Sequence, residues 1–354
     1  MAHLWRGVIE EYRDRLPVTE TTPVITLGEG GTPLVRSAWL SGVVHGDVWL
    51  KVEGDNPTGS FKDRGMTMAI SIAAGEGAKA VVCASTGNTS ASMAAYAASA
   101  GLTPIVLVPH GKISAGKMAQ AVMHGAEVLE VNGNFDDCLT MSRGLADHYP
   151  VALVNSVNPM RLQGQKTAAF EIVDALGAAP DLHVLPVGNA GNISAYWLGF
   201  KEYAEAGIAT KTPTLWGFQA EGAAPIVNGA PVLHPETVAS AIRIGNPASW
   251  HLAVAARDES GGRIEAVSDA QILQAQRDLA SRDGVFVEPA SAAGVAGLLA
   301  AAARGDVASD QLISITVTGH GLKDTETALS GIDSIVDSVI EVDVDAAAAA
   351  AGLA

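Results

Sequence analysis

The chain has 354 residues, 48% hydrophobic and 17% charged, enough for one large or two medium domains with a sizeable core. Its 22 Lys and Arg stand against 38 Asp and Glu, and the net charge of −16 argues against DNA, RNA or anionic membranes as partners. An anionic substrate would meet a repelling overall field, so cations must be concentrated at its site.

The opening stretch "MAHLWRGVIEEYRDR" carries acidic residues early and lacks a long apolar core, which makes it a poor secretory signal. No apolar run approaches the roughly 18 residues needed to span a membrane. From there the elements alternate. "VWLKV" (Val48–Val52) reads as a buried strand and "KDRGMTMAISIAA" as a helix. "AVVCA" (Ala80–Ala84), "PIVLVP", "EVLEV", "VALVN" and "HVLPV" read as further strands. Between and after them, "SASMAAYAASAG", "GKMAQAVMHG", "FDDCLTMSRGLADHY", "GQKTAAFEIVDALG" and "ISAYWLGFKEYAEAG" read as helices. "TLWGFQ", a helix from Asp269 to about Ser281, "GVFVEP", an Ala-rich helix after Ser291 and "LISITVTG" continue the rhythm. Residues near Gly222–Pro235 are rich in Gly, Pro and Ala and read as a loop; the alanine run of the tail favours helix. Short apolar strands alternating with helices imply parallel sheets covered on both faces, with binding sites at the carboxyl ends of the strands. No internal repeat is visible. Cys83 and Cys138 lack metal-ligand spacing and read as buried small side chains in a reducing cytosol.

Several glycine-rich or polar turns stand out. "NPTGSFKDRG" (Asn56–Gly65) places Lys62 at the end of a turn and the start of a helix. By itself Lys62 is a solvated surface lysine, a phosphate holder or a covalent anchor. A P-loop needs Gly-Lys-Ser/Thr directly, and Ser60 and Phe61 intervene. "GEGAKA" matches a dinucleotide fingerprint but precedes a strand instead of following one, so it reads as a helix-ending turn. "PVGNAGN" (Pro186–Asn192) follows a strand and opens a helix; its glycines and amides suit a single phosphate, or form a plain turn. "ASTGNTSAS" (Ala84–Ser92) clusters Ser85, Thr86, Asn88 and Thr89 where one capping residue would suffice. "LVNSVNP" adds Asn155 and Ser156, with Arg161 shortly after, and "VTGHG" adds Thr318 and His320. All these junctions lie at strand ends and would converge on one edge.

Together, "NPTGSFKDRGM", "CASTGNTSAS", "GNFDDCL", "LVNSVNPMRLQGQKTAAFEI", "PVGNAGN", "GVFVEPASAA" and "VTGHGLKD" resemble the fold-type II pyridoxal-phosphate enzymes. That group includes tryptophan synthase β-subunits, cysteine synthases and serine/threonine dehydratases. Within it the chain most closely resembles the threonine synthases of the shorter bacterial kind, from about residue 28 to about residue 325. The Ser-Phe-Lys turn marks only the superfamily; its combination with "GNFDD" and "NSVNP...GQKT" is more specific.

The resemblance implies two parallel-sheet α/β domains with the cofactor between them. It implies a larger domain of residues 1–69 and 156–354 and an inserted smaller one of about 70–155, able to close on ligand. Pyridoxal 5'-phosphate would join Lys62 as a Schiff base. Asn88 would hydrogen-bond the ring's phenolic oxygen, Gly188, Asn189, Ala190, Gly191 and Asn192 would hold the phosphate, and Thr318 would face the ring nitrogen. Ser85, Thr86, Thr89, Asn155, Ser156 and Arg161 would share the substrate's carboxylate and phosphate, unapportioned. The implied reaction converts O-phospho-L-homoserine and water to L-threonine and phosphate, in a cytoplasmic homodimer without metal. His320 departs from the pattern, which has asparagine there, and is expected to tune the pocket edge. With the chain starting close to the fold, effector control through a long N-terminal extension is not expected.

The chemistry makes its own demands. A lysine must be neutral to attack, so burial or a nearby cation must lower its pKa. Phe61 offers apolar cover, and Arg64 offers a cation or else points to solvent. A dehydratase would share Lys62 and the cofactor but needs no site for a substrate phosphate. A non-catalytic binding protein on the same fold would have no reason to keep Lys62, Asn88 and the phosphate loop together, and a nicotinamide dehydrogenase is weakened by the misplaced glycine pattern.

Overall fold

In the computed structural model, residues 3–111 and 115–353 are described. The strands are β1 (Leu34–Arg36), β2 (Asp47–Val52), β3 (Ala80–Ala84), β4 (Thr103–Pro109), β5 (Glu127–Val131), β6 (Val151–Leu153), β7 (Leu182–Pro186), β8 (Thr214–Ala220), β9 (Arg263–Val267) and β10 (Leu312–Val317). They form a six-stranded sheet of order β1-β2-β10-β7-β8-β9 and a four-stranded sheet of order β5-β4-β3-β6. The smaller sheet is drawn entirely from chain lying between β2 and β7. Every pairing is parallel except that of β1 with β2.

The near-continuous apolar runs become strands because helices cover both faces of each sheet. β3 and β7 are buried at every position. The helix Pro289–Ala303, almost all Ala, Gly, Leu and Val, is buried along most of its length in the core of the larger sheet. Short β1 and the partly polar edge strand β9 carry no such run, and neither was legible in the sequence.

The helix Lys62–Gly75 joins the two sheets, packing on the helix Asn88–Ala100 from one and on Pro159–Gln165 from the segment that returns to the other. The second contact is close: a Cβ on Gly164 would stand 1.8 Å from the Arg64 carbonyl oxygen. Under this joint lies a buried ion network. Arg64 donates from Nε to Glu53 Oε2 at 2.7 Å and from Nη1 to Glu171 Oε1 at 2.5 Å, and Lys51 Nζ donates to Glu171 Oε2 at 2.6 Å.

Three local expectations change. "GVFVEP" is not a strand: Val287 makes an isolated bridge to His320, and Pro289 then starts a helix, where its missing N–H costs nothing. The loop near Gly222–Pro235 contains a helical turn, Pro225–Asn228. The strand at "VALVN" ends at Leu153, because the Asn155 side chain takes over the contact with β3, exchanging hydrogen bonds with the Ala84 backbone at 3.1 Å. The alanine-rich tail is helical over Val344–Ala350. Among the described residues no helix is long and apolar enough to cross a membrane, and no group of His, Cys, Asp or Glu could hold a metal ion.

Candidate active site

A cleft of about 1500 Å³ opens between the two sheets, at the carboxyl ends of their strands. The Asn56–Lys62 turn lines it. Gly59 adopts φ 84°, and Asp63 reaches back to accept from the Thr58 amide at 2.7 Å and the Thr58 hydroxyl at 2.6 Å. The Phe61 amide donates to the Thr318 carbonyl at 3.0 Å and the His320 amide to the Gly59 carbonyl at 2.9 Å. These bonds lace the Lys62 turn to the end of β10 and set the lysine on the cleft wall.

The smaller sheet contributes Ser85, Thr86, Asn88 and Thr89 to that wall. Asn88 is the first residue of its helix, and its Nδ2 lies 3.0 Å from both carboxylate oxygens of Glu288. The segment after β6 contributes Asn155, Ser156 and Arg161. Arg161 is 2% exposed; its Nη1 donates to the Val154 carbonyl at 3.2 Å, while its Nε has no partner. Burial brings this guanidinium down to about 10. A buried cation with an unused donor, facing a cleft, is a place for an anion.

The larger sheet contributes Gly188, Asn189, Ala190, Gly191 and Asn192 after β7. Ala190 sits at φ 67°, a left-handed conformation that is costly for a residue with a side chain. It turns the chain into the helix Gly191–Glu205, whose first residues, Gly191 and Asn192, line the cleft. Asn192 is buried, and both its polar side-chain atoms lack a partner. Asn189 is engaged differently from its neighbours: its Nδ2 donates to Ser156 Oγ and its Oδ1 accepts from the Ala248 amide at 2.6 Å. It ties the loop to the Ser156 segment.

Thr318, just past β10, lies 2.7 Å from Ser291 Oγ. Ser291 Oγ also accepts from the Thr318 amide at 3.0 Å and the Gly319 amide at 2.8 Å. The serine hydroxyl also lies 3.3 Å from the Gly319 carbonyl, so its one proton serves either that oxygen or Thr318 Oγ1. Sequence reasoning placed Ser291 only as a helix boundary. Its role depends on a contact with a residue 27 positions later.

The Lys62 amine is drawn down to about 7, first by burial and then by the charge of Arg161; Glu288 pulls the other way. Arg64 takes no part in this. It is neither the pKa-lowering cation nor solvent-exposed, because Glu53 and Glu171 hold its guanidinium in the core. Glu288, also unread in the sequence, is buried, and burial pushes its carboxyl up. His320 is at the cleft edge, where its Nδ1 accepts from the Leu322 amide at 3.1 Å. In "GNFDD", Asn134 and Asp137 form a capping box that starts the helix Phe135–His148 beside the cleft.

The cleft therefore offers an amine able to be neutral near pH 7, an anion cradle at a helix N-terminus, a separate buried cation and a hydroxyl anchored by Ser291. Residues 25–319 match the family model described as pyridoxal-phosphate dependent enzyme. The chain is 59% identical to a threonine synthase of Mycobacterium tuberculosis, over 99% of this chain and 97% of that one. It is 55% identical to a threonine synthase of Synechocystis, covering 98% and 91%, and 49% identical to one of Methanocaldococcus jannaschii, covering 92% and 82%. Among solved structures, maize serine racemase superposes with a TM-score of 0.73 at 22% identity, covering 89% and 92%, and the serine racemase of Dictyostelium discoideum with 0.71 at 21%, covering 88% and 97%. The chain belongs to the pyridoxal-phosphate dependent enzyme family and, within it, to the threonine synthases.

Proposed function

We propose that this cleft converts O-phospho-L-homoserine and water to L-threonine and phosphate, with pyridoxal phosphate held on Lys62. One observation carries the assignment: a single cleft holds two places suited to an anion, the Gly188–Asn192 loop and buried Arg161, beside the Lys62 amine drawn down to about 7. The cofactor phosphate accounts for one site and the substrate phosphate for the other. The residues suit the cofactor. The unpaired Asn192 atoms and the helix amides would take its phosphate, the Thr318 hydroxyl its ring nitrogen, Asn88 its phenolic oxygen and Lys62 its carbonyl carbon.

When bound, the cofactor supplies a sink for the electron pair left as bonds to substrate Cα break. A hydroxyl facing the ring nitrogen leaves it largely unprotonated, which weakens that sink and favours elimination and replacement over transamination. Lys62, as a free neutral amine, would take the proton from Cα, hand it on and then take one from Cβ. Phosphate leaves Cγ, a proton returns to Cγ, and water adds across Cβ and Cα, its hydroxyl to Cβ and a proton to Cα. Arg161, with the Asn155 and Ser156 side chains, stabilises charge on the departing phosphate. Ser85, Thr86 and Thr89 are proposed to hold the substrate's other anionic group, and Asn189, through Ser156, to keep the two anion sites in register.

The division into 1–69 with 156–354 and 70–155 is supported by the four-stranded sheet, which lies inside the second span. The helix Lys62–Gly75 crosses that boundary and would serve as the hinge on which the smaller domain closes. A cytoplasmic homodimer completes the proposal.

The test is an assay with and without added pyridoxal phosphate, measuring phosphate released from O-phospho-L-homoserine against keto acid released from threonine. Cofactor-dependent phosphate release with stoichiometric threonine supports the assignment. Keto acid from threonine without phosphate release supports a dehydratase instead.

A further inference from the structure

We infer that Glu288 is a positioning residue: from across the cleft it fixes the orientation of the Asn88 carboxamide, and through it the contact Asn88 makes with the cofactor ring. This rests on the proposed role of Asn88.

The geometry is specific. Asn88 belongs to the helix that follows β3 of the smaller sheet, and Glu288 immediately precedes the helix Pro289–Ala303 of the larger one. Both carboxylate oxygens lie 3.0 Å from Asn88 Nδ2. A carboxylate has only acceptors, so the amide must present its nitrogen to Glu288. One N–H serves the carboxylate and the other remains for an acceptor in the cleft. Without Glu288 the amide is free to rotate by half a turn and present its oxygen, which would repel a phenolic oxygen.

Glu288 is committed to this contact. It occupies the N-cap position of its helix, yet its side chain makes no capping bond. Its backbone is pinned by its own amide donating to the Gly319 carbonyl at 3.0 Å and by the neighbouring bridge of Val287 to His320. The chain leaves room for the carboxylate: a Cβ on Gly319 would come within 2.5 Å of Glu288 Oε1 and 2.7 Å of its Cδ. Its charged surroundings are Lys62, Lys323 and Asp324. Structural support alone would not require a buried carboxylate here, whereas setting an amide's orientation does.

The experiment compares wild-type holoenzyme with Glu288→Gln, Gly319→Ala, Asn88→Ala and the Asn88→Ala/Glu288→Gln double variant. The readouts are the visible absorbance of bound pyridoxal phosphate and its dissociation constant. Gly319→Ala displaces the carboxylate without removing its charge, and so covers the case in which Glu288→Gln fails to fold. The inference expects Glu288→Gln, Gly319→Ala and Asn88→Ala each to shift the absorbance band and weaken cofactor binding by about tenfold. It also expects Glu288→Gln to add nothing once Asn88 is alanine. Wild-type spectra and affinity in Glu288→Gln, alongside altered ones in Asn88→Ala, overturn the inference and leave the role of Asn88 standing. An undiminished Glu288→Gln effect in the double variant also overturns it, because Glu288 would then act on Lys62 directly. A silent Asn88→Ala overturns the role of Asn88, and the inference with it.

Discussion

The Lys62 amine lies 3.7 Å from the centroid of the Phe61 ring, so the lysine rests on the face of its own chain neighbour. A ring face favours the protonated amine. Burial and Arg161 oppose it and win, taking the group from its ordinary 10.5 to about 7. The folded chain thus binds this proton less tightly than the unfolded chain does. The resulting cost is full below about pH 7 and fades as pH rises toward 10.5. Cofactor-free Lys62→Met is therefore expected to melt at a higher temperature than cofactor-free wild type near pH 6, with the gap narrowing toward pH 10. Thermal melts across that range check it; a gap independent of pH contradicts it.

Arg161 carries an unused buried donor beside the lysine. Arg161→Ala is expected to raise KM for O-phospho-L-homoserine by about 100-fold. Lys201, half-buried away from the cleft and paired with Glu259 at 2.8 Å, is the control, with an expected change below about twofold. Steady-state kinetics that showed equal effects would remove Arg161 from the substrate site.

Glu171 bridges Arg64 and Lys51 in the core. Glu171→Ala leaves buried Lys51 without its carboxylate and Arg64 with Glu53 alone, at an expected cost of about 3–5 kcal/mol in chemical denaturation. The two cations hold this carboxyl far below its ordinary 4.5, at about 2. Its stabilising contribution is present above about pH 4.5 and is lost as pH falls toward 2. The wild-type stability advantage over Glu171→Ala is expected to shrink across that window.

Thr318 Oγ1 is held 2.7 Å from Ser291 Oγ, which also accepts from the Thr318 and Gly319 amides. Thr318→Asp would favour a protonated ring nitrogen and is expected to raise transamination relative to threonine formation, seen as keto acid and aminated cofactor. Ser291→Ala frees the Thr318 hydroxyl to turn away and is expected to lower kcat more than it raises KM. Unchanged partitioning in Thr318→Asp would sever the link between this hydroxyl and reaction choice.

Much of the site was legible because turn chemistry is local. Lys62 after a Gly-Ser-Phe turn, four polar residues at a helix start and two glycines between a strand and a helix each announce themselves within about ten residues. All of them line one cleft. Arg64 shows where that local view fails. It is adjacent to Asp63 and two residues from Lys62, yet its charge is spent on Glu53 and on Glu171, more than a hundred positions away. Glu288 and Ser291 were illegible for the same reason, since their partners are 200 and 27 residues distant.

The sequence by itself determined the alternation of strands and helices, the parallel character of the sheets and the residue types at each strand end. Hydrophobic periodicity and turn geometry act over neighbouring residues, so these features need no tertiary partner. Tertiary structure alone decided which charges are used up and which remain for ligand. Arg64 and Arg161 look equivalent as letters. Folding buries both, surrounds the first with carboxylates and leaves the second with an unfilled hydrogen bond at the cleft wall. Desolvation is what makes that difference count, because a buried cation must find an anion and only the cleft can supply one to Arg161.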